Sequence, residues 1–310
     1  MMTLGLILLG ALGGAMLYSV VDDDDAVAAP DEEAVEELTY DGTDTLLGTE
    51  GDDTLVGEHD PALEPSVVEL LGGDDVAIAP TLSNGPTSVY GGEGDDMLTD
   101  FSNMFGGEGN DTLDGTGGSY RLEGGAGDDV LTANGFASEV LGGEGNDEIN
   151  IDASNHVGDN VINVEGGEGD DVFNVRTSIG DDRPEFGGFG LQGGEGSDTF
   201  NLTLEVVDQD TDVDGDGEVS INAGVVQDFD PAEDSLVIDI ERYATFLDRE
   251  ITVDFEQASG STAVWGEYET TLTFHLAATE NAAAAVSTIT IYSDVPFTMD
   301  DIQILDPMAV

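Results

Sequence analysis

The apolar positions of this chain fall into two regimes. Between Gly91 and Asn201 one apolar residue recurs at a fixed distance behind a cluster of glycines, as Leu98, Leu113, Leu131, Ile149, Phe173 and Phe200. Each is the middle member of a three-residue stretch, the out–in–out pattern of a short strand whose central side chain enters a core. After Asn201 the glycines thin out and longer alternation takes over. Leu202 to Val207, Leu236 to Ile240, Ile251 to Phe255, Thr270 to Phe274 and Ser287 to Ile291 read as half-buried strands. The pattern predicts an all-β protein: a stack of short strands, then a C-terminal β-strand domain.

The glycine clusters are copies of one phrase. Gly-Gly-x-Gly-x-Asp, followed by a residue, an apolar residue and one more, starts at Gly91, Gly106, Gly124, Gly142, Gly166 and Gly193. Glycine reaches positive φ without steric cost, so three in four places specify a tight turn. Such a turn leaves backbone carbonyls facing one spot. The sixth-place Asp adds a carboxylate, and hard oxygen donors of this kind suit calcium. Weaker copies precede these. Gly48 to Val56 lacks only the second glycine, Asp41 to Leu47 lacks the first ones, and Gly72 to Ile78 reads as a copy shortened by two residues.

Spacing turns the copies into a geometry. The starts are separated by 15, 18, 18, 24 and 27 residues, and 18 is two nonapeptides. Copies that far apart stack on one edge of a coil, with the intervening segment forming the other edge. That segment is degenerate: Gly115 to Glu123 keeps the frame but has Tyr120 in place of the Asp, and Ala133 to Leu141 keeps only Val140 at the core position. Two readings are open. One is a solenoid with a single metal edge, widening toward the C-terminus as the core residue passes from Leu to Phe. The other is an ordinary two-edged roll with insertions.

Charge sharpens the picture. The formal net charge is -64, with 69 acids against five arginines, no lysine and no cysteine among 310 residues. Self-repulsion of this size opposes compaction unless cations join the fold. It also excludes nucleic acid, itself a polyanion, as a partner. Disulfides and thiolate metal sites are excluded as well. The remaining motifs give no catalytic constellation: His59, His156 and His275 lie far apart, and neither His-Glu-x-x-His nor Gly-x-Ser-x-Gly occurs. The expectation is a protein that is not an enzyme.

Three stretches stand apart from the repeats. Residues 1–21 are an apolar run about as long as a spanning helix, roughly 20 residues. It reads as an anchor making membrane contact, as a cleaved signal or as a buried helix. Residues 22–38 form an acidic linker whose end, Glu32 to Leu38, has helical potential. In residues 206–224, Asp212, Asp214 and Asp216 followed by Gly217 match the start of an EF-hand loop. Ala223 stands where the closing Glu belongs, leaving a calcium loop between strands or a solvated acidic turn.

The nonapeptides from Gly91 to Asn201, with weaker copies back to about Thr39, resemble the RTX, or haemolysin-type calcium-binding, repeat. Val226 to Leu236 resembles the element that closes many such rolls. The resemblance implies a parallel β-roll over 39–205 and a C-terminal domain over 225–310. It implies several calcium ions held by the turn glycines and sixth-place acids. These are Asp53; Gly91, Gly94 and Asp96; Gly106, Gly109 and Asp111; Gly124, Gly127 and Asp129; Gly142, Gly145 and Asp147; Gly166, Gly169 and Asp171; and Gly193, Gly196 and Asp198, with Asp44 and Asp75 as weaker candidates. It further implies export, folding in a calcium-rich exterior, and a structural or interaction role with a protein or glycan partner that the sequence does not name.

Overall fold

In the computed structural model the described residues are 17–19, 37–39, 45–56, 67–79, 87–154, 161–179, 188–206, 219–242, 250–260, 266–277 and 284–306. Asp44, Asp212, Asp214, Asp216, His59 and His156 lie outside them, as does most of the N-terminal apolar run. Two short strands, β1 (Leu17–Ser19) and β2 (Glu37–Thr39), pair antiparallel. Glu37 and Leu38, expected to end a helical turn, are therefore extended. Among the described residues no helix is long and apolar enough to cross a membrane.

The rest is a two-sheet solenoid. Its coils are β3 (Thr45–Leu47) with β4 (Thr54–Val56), β5 (Val67–Gly72) with β6 (Val76–Ile78), and β7 (Ser88–Glu93) with β8 (Met97–Thr99). They continue with β9 (Asn103–Glu108) and β10 (Thr112–Gly115), β11 (Arg121–Ala126) and β12 (Val130–Asn134), and β13 (Glu139–Glu144) and β14 (Glu148–Asp152). Then come β15 (Ile162–Glu168) and β16 (Val172–Ile179), β17 (Phe189–Glu195) and β18 (Thr199–Val206), and β19 (Val219–Gln227) and β20 (Ser235–Arg242). Odd strands build one parallel sheet and even strands the other, each pairing with the strand one coil away.

The core lies between the sheets as two facing ladders. The eighth-place residues Leu98, Leu113, Leu131, Ile149, Phe173 and Phe200 are all fully buried and in register. Opposite them stand Val89, Met104, Leu122, Val140, Val164 and Leu191, also buried. Phe173 and Phe200 stack with centroids 4.9 Å apart. The even strands lengthen from three residues in β8 to five in β12 and eight in β16, so each later coil buries more hydrocarbon.

The sheets do not end at residue 205. β19 starts inside the stretch expected to be an acidic loop and pairs with β17, while β20 pairs with β18. Val226, paired with Leu191, and the alternating run from Leu236 to Ile240 extend the same two core ladders, which is why no sheet boundary falls there. Beyond them β21 (Ile251–Ser259), β22 (Tyr268–Leu276) and β23 (Ala285–Ser293) form an antiparallel meander joined to β19. A 3-10 turn at Met299–Asp301 leads to β24 (Gln303–Leu305), which closes the even sheet on β20.

Candidate metal edge

Every nonapeptide sits at the same place in its coil, the crossing from the odd to the even sheet. In seven coils that crossing is three residues long, places four to six of the phrase, as in 94–96, 109–111 and 127–129. The return crossings have no constant length: 100–102, 116–120 and 135–138 at their shortest, and 207–218 at their longest. The repeated turns therefore all stand on one edge of the solenoid.

Steric demand explains the glycines. Gly92, Gly94 and their equivalents take φ between +110° and +140° in the complete copies. A Cβ on Gly127 would lie 1.9 Å from the carbonyl oxygen of Gly109 in the preceding coil. The first glycine is needed for another reason. A Cβ on Gly91 would fall 2.0 Å from Asp96 Oδ2 and 2.7 Å from the carbonyl oxygen of Gly106. Gly106, Gly124, Gly142 and Gly166 repeat this, each beside its own Asp Oδ2 and the carbonyl of the next coil's first glycine. Two oxygens from adjacent coils thus converge where a side chain would otherwise stand.

Hydrogen bonds tie these turns together along the stack. The backbone N–H of each sixth-place Asp donates to Oδ1 of the sixth-place Asp one coil later, from Asp53 to Asp75, Asp96, Asp111, Asp129, Asp147, Asp171 and Asp198. Asp198 N–H then donates to Asp234, so the ladder has nine members with bonds of 2.6–3.0 Å. A second ladder runs along place five on the exposed side and points the other way. Asp95 N–H donates back to Asp74, Asn110 to Asp95, Asp128 to Asn110, Asn146 to Asp128, Asp170 to Asn146 and Ser197 to Asp170.

The inner ladder uses only one oxygen of each carboxylate. Oδ2 of Asp75, Asp96, Asp111, Asp129, Asp147 and Asp171 is buried without a hydrogen-bond partner. Burial pushes these carboxyls up from the ordinary 3.8, to about 8 at Asp96, about 7 at Asp75, Asp129 and Asp171, and about 6 at Asp111 and Asp147. Burying an unpaired carboxylate is costly, so a row of orphaned oxygens is a row of places for positive charge. Among the described residues no three acidic or histidine side chains converge. A cation here would therefore be completed by backbone carbonyls, the donor set hard divalent ions accept. The residues fit calcium.

The register corrects one reading. Leu71 pairs with Gly92 and Gly72 with Glu93, so Leu70 and Leu71 occupy the first two glycine places. The turn at Gly72–Asp75 is a full nonapeptide whose leading glycines are leucines, not a shortened copy. Leu71 takes φ +82° there, a conformation that leucine rarely adopts, and Asp75 takes its place in the ladder. Two parts of the edge escape motif reading. The place-five ladder mixes Asp, Asn and Ser, and Asp234 sits in a turn without the glycine phrase. In that turn Asp228, at φ +55°, accepts from the N–H groups of Gly193 and Gly194. The signal for Asp234 was its place just before the apolar alternation, where the ladder aspartates stand in every repeat.

A family model described as the RTX calcium-binding nonapeptide repeat in four copies matches residues 38–60, 105–138 and 123–155. The chain carries RTX calcium-binding nonapeptide repeats, wound as a parallel β-roll. A search of curated proteins returns no match.

Proposed function

We propose that this protein is an extracellular or cell-surface structural protein whose roll is completed by calcium along one edge. The observation that carries this is the row of buried, unpartnered Oδ2 atoms from Asp75 to Asp171. Each faces a glycine carbonyl of the next coil at the complete copies. Bound calcium supplies the positive charge that these oxygens lack. The chain's own part is to hold Oδ1 in the ladder, aim Oδ2 and the carbonyls at one point, and keep that point clear of side chains. In this reading Asp96, Asp111, Asp129, Asp147, Asp171 and Asp198 are ligands with the carbonyls of their turns. Asp75 belongs to the same row, Asp53 and Asp234 continue the ladder with their own Oδ2 bonded to Thr49 N–H and Asp230 N–H, and no reaction is assigned to it.

A calcium-rich exterior is the setting in which such a chain, with net charge -64, becomes compact. The test is circular dichroism of the full chain in chelator and after calcium is added to millimolar levels. The reading expects β-structure to appear with calcium, and a spectrum indifferent to calcium would refute it. Fractionation of cells expressing the chain with and without residues 1–21 tests the cell-surface placement.

A further inference from the structure

The odd-numbered sheet ends on β21, nine residues long and paired with β22 at all nine positions without a bulge. Among the described residues no strand pairs with its other side. The phase of the ladder shows which backbone groups that side presents. Ala277 N–H donates to the Glu250 carbonyl and Gly260 N–H to that of Glu267, both in the β21–β22 register. Even-numbered residues of β21 therefore bond to β22. The N–H and C=O groups of Ile251, Val253, Phe255, Gln257 and Ser259 point away from it.

The side chains of this edge are also incompletely covered. On the core face, β22 contributes Leu272, Phe274 and Leu276, all fully buried. Their cross-strand neighbours Phe255, Val253 and Ile251 pack on the same core but stay only partly buried. The other face carries Thr252, Asp254, Glu256 and Ala258, all exposed. Asp254 lies 3.1 Å from His275 Nε2 and still presents most of its surface to solvent. Natural edges are commonly blunted by lysine, proline, bulges or short length. This one has none of these.

We propose that the outer edge of β21 is a docking site for one strand of a different, basic protein, in which lysine or arginine alternates with apolar residues. Backbone pairing would satisfy the five outward residues, as in other cases of strand addition to a sheet edge. Apolar side chains of the guest would continue the row Ile251, Val253, Phe255, and its basic ones would stand opposite Asp254 and Glu256. Charge complementarity selects this occupant over a second copy. A symmetric antiparallel pair centred on Val253, Asp254 or Phe255 sets acid against acid, which destabilises a sheet. Nor can this chain supply the guest strand itself, since it has no lysine and its five arginines are never closer than seven residues.

The test uses the full chain in calcium and a labelled peptide as long as β21, alternating lysine and valine. A peptide of the same composition with lysines and valines in separate blocks, and one alternating glutamate and valine, serve as comparators. The alternating basic peptide should bind, the block peptide far more weakly and the acidic one not at all. Val253→Pro leaves the net charge unchanged and removes one outward N–H at an edge, where proline is tolerated. It should weaken binding roughly tenfold or more, about one or two lost ladder bonds, while the calcium-dependent circular dichroism stays as in the parent. Should that variant fail to fold, Asp254→Asn with Glu256→Gln decides. It should weaken binding roughly 2- to 30-fold, the magnitude of two cross-strand charge pairs. Equal binding of alternating and block peptides, or no loss in either variant, would show mere attraction to a polyanion and overturn the proposal. So would concentration-dependent self-association in calcium that Val253→Pro abolishes, which would assign the edge to a second copy.

Discussion

Each coil crosses between the sheets twice, and the two crossings are held by different means. The odd-to-even crossing is three residues in seven coils, with a fixed φ pattern and the same bonds to its neighbours. The even-to-odd crossing varies in length, and its bonds, some within a turn and some to the neighbouring coil, change from one coil to the next. Ser119 Oγ bonds to the Phe101 carbonyl, Asp114 accepts from Thr116, and Asp100 accepts from Gly117. The difference shows where the coupling between coils is uniform. At the metal edge a turn is bonded to the turns before and after it by one repeated pattern, so a change in one disturbs three; at the return edge the bonds between coils follow no single pattern, and length is free.

The sharpest way to break this contrast is a methyl group. Gly127→Ala puts a Cβ 1.9 Å from the Gly109 carbonyl, at φ +136°, and should abolish calcium-driven β-structure in the surrounding coils. Gly118→Ala, at φ +117° on the return edge with nothing within 4 Å, should cost only about 1 kcal/mol of backbone strain. Calcium titrations followed by circular dichroism measure both.

Next come the carboxylates. Asp129→Ala removes the acceptor for Asp111 N–H and the Oδ2 beside Gly124. It should weaken the roll by about 1.5–3 kcal/mol, the value of a hydrogen bond to a charged group, and raise the calcium midpoint. Asp114→Ala on the return edge loses bonds only to Thr116 and should leave that midpoint nearly unchanged. Equal midpoint shifts would put calcium outside the ladder.

Acidity offers a third probe. The ladder aspartates are raised in the folded state, so the cation-free roll holds protons that the unfolded chain has released. That contribution is fully present below the ordinary 3.8 and is lost as pH rises through about 6 at Asp111 and Asp147, about 7 at Asp129 and about 8 at Asp96. In chelator the protein should be more folded near pH 5 than near pH 8. Calcium should stabilise it more at the higher pH, where protons no longer compete. Thermal melts across that range, with and without calcium, check the sign. Asp129→Asn should flatten the chelator profile, whereas Asp114→Asn should not.

The smallest expected effect has the opposite sign. Leu71→Gly relieves a positive φ and should stabilise the roll by about 1 kcal/mol or less, part of the strain relief being offset by the entropy of the unfolded chain. A lower melting temperature would mean that the exposed Leu71 side chain matters more than its backbone.

Much of the roll was legible because its demands are local. An apolar residue two places after an Asp, behind glycines that must take positive φ, says where the core lies and on which edge the turn stands. What escaped lay in partners rather than residue types. Leu70 and Leu71 hid a complete turn because a strained leucine writes no motif. Asp234 hid because its turn has no glycines and its role is set by Asp198 one coil away. The strands from β19 onward were visible as alternation. Their continuation of the roll's own sheets was not, since alternation names a buried face and leaves the neighbouring strand unstated.

The lengthening of the even strands has a mechanical consequence. A coil built on β8 shields three residues of that sheet and a coil built on β18 eight, while each contributes a similar turn at the metal edge. The narrow coils therefore lean hardest on the ions and the wide ones on hydrocarbon. As calcium falls, the taper should unzip from its thin end, leaving the C-terminal coils as the last grip.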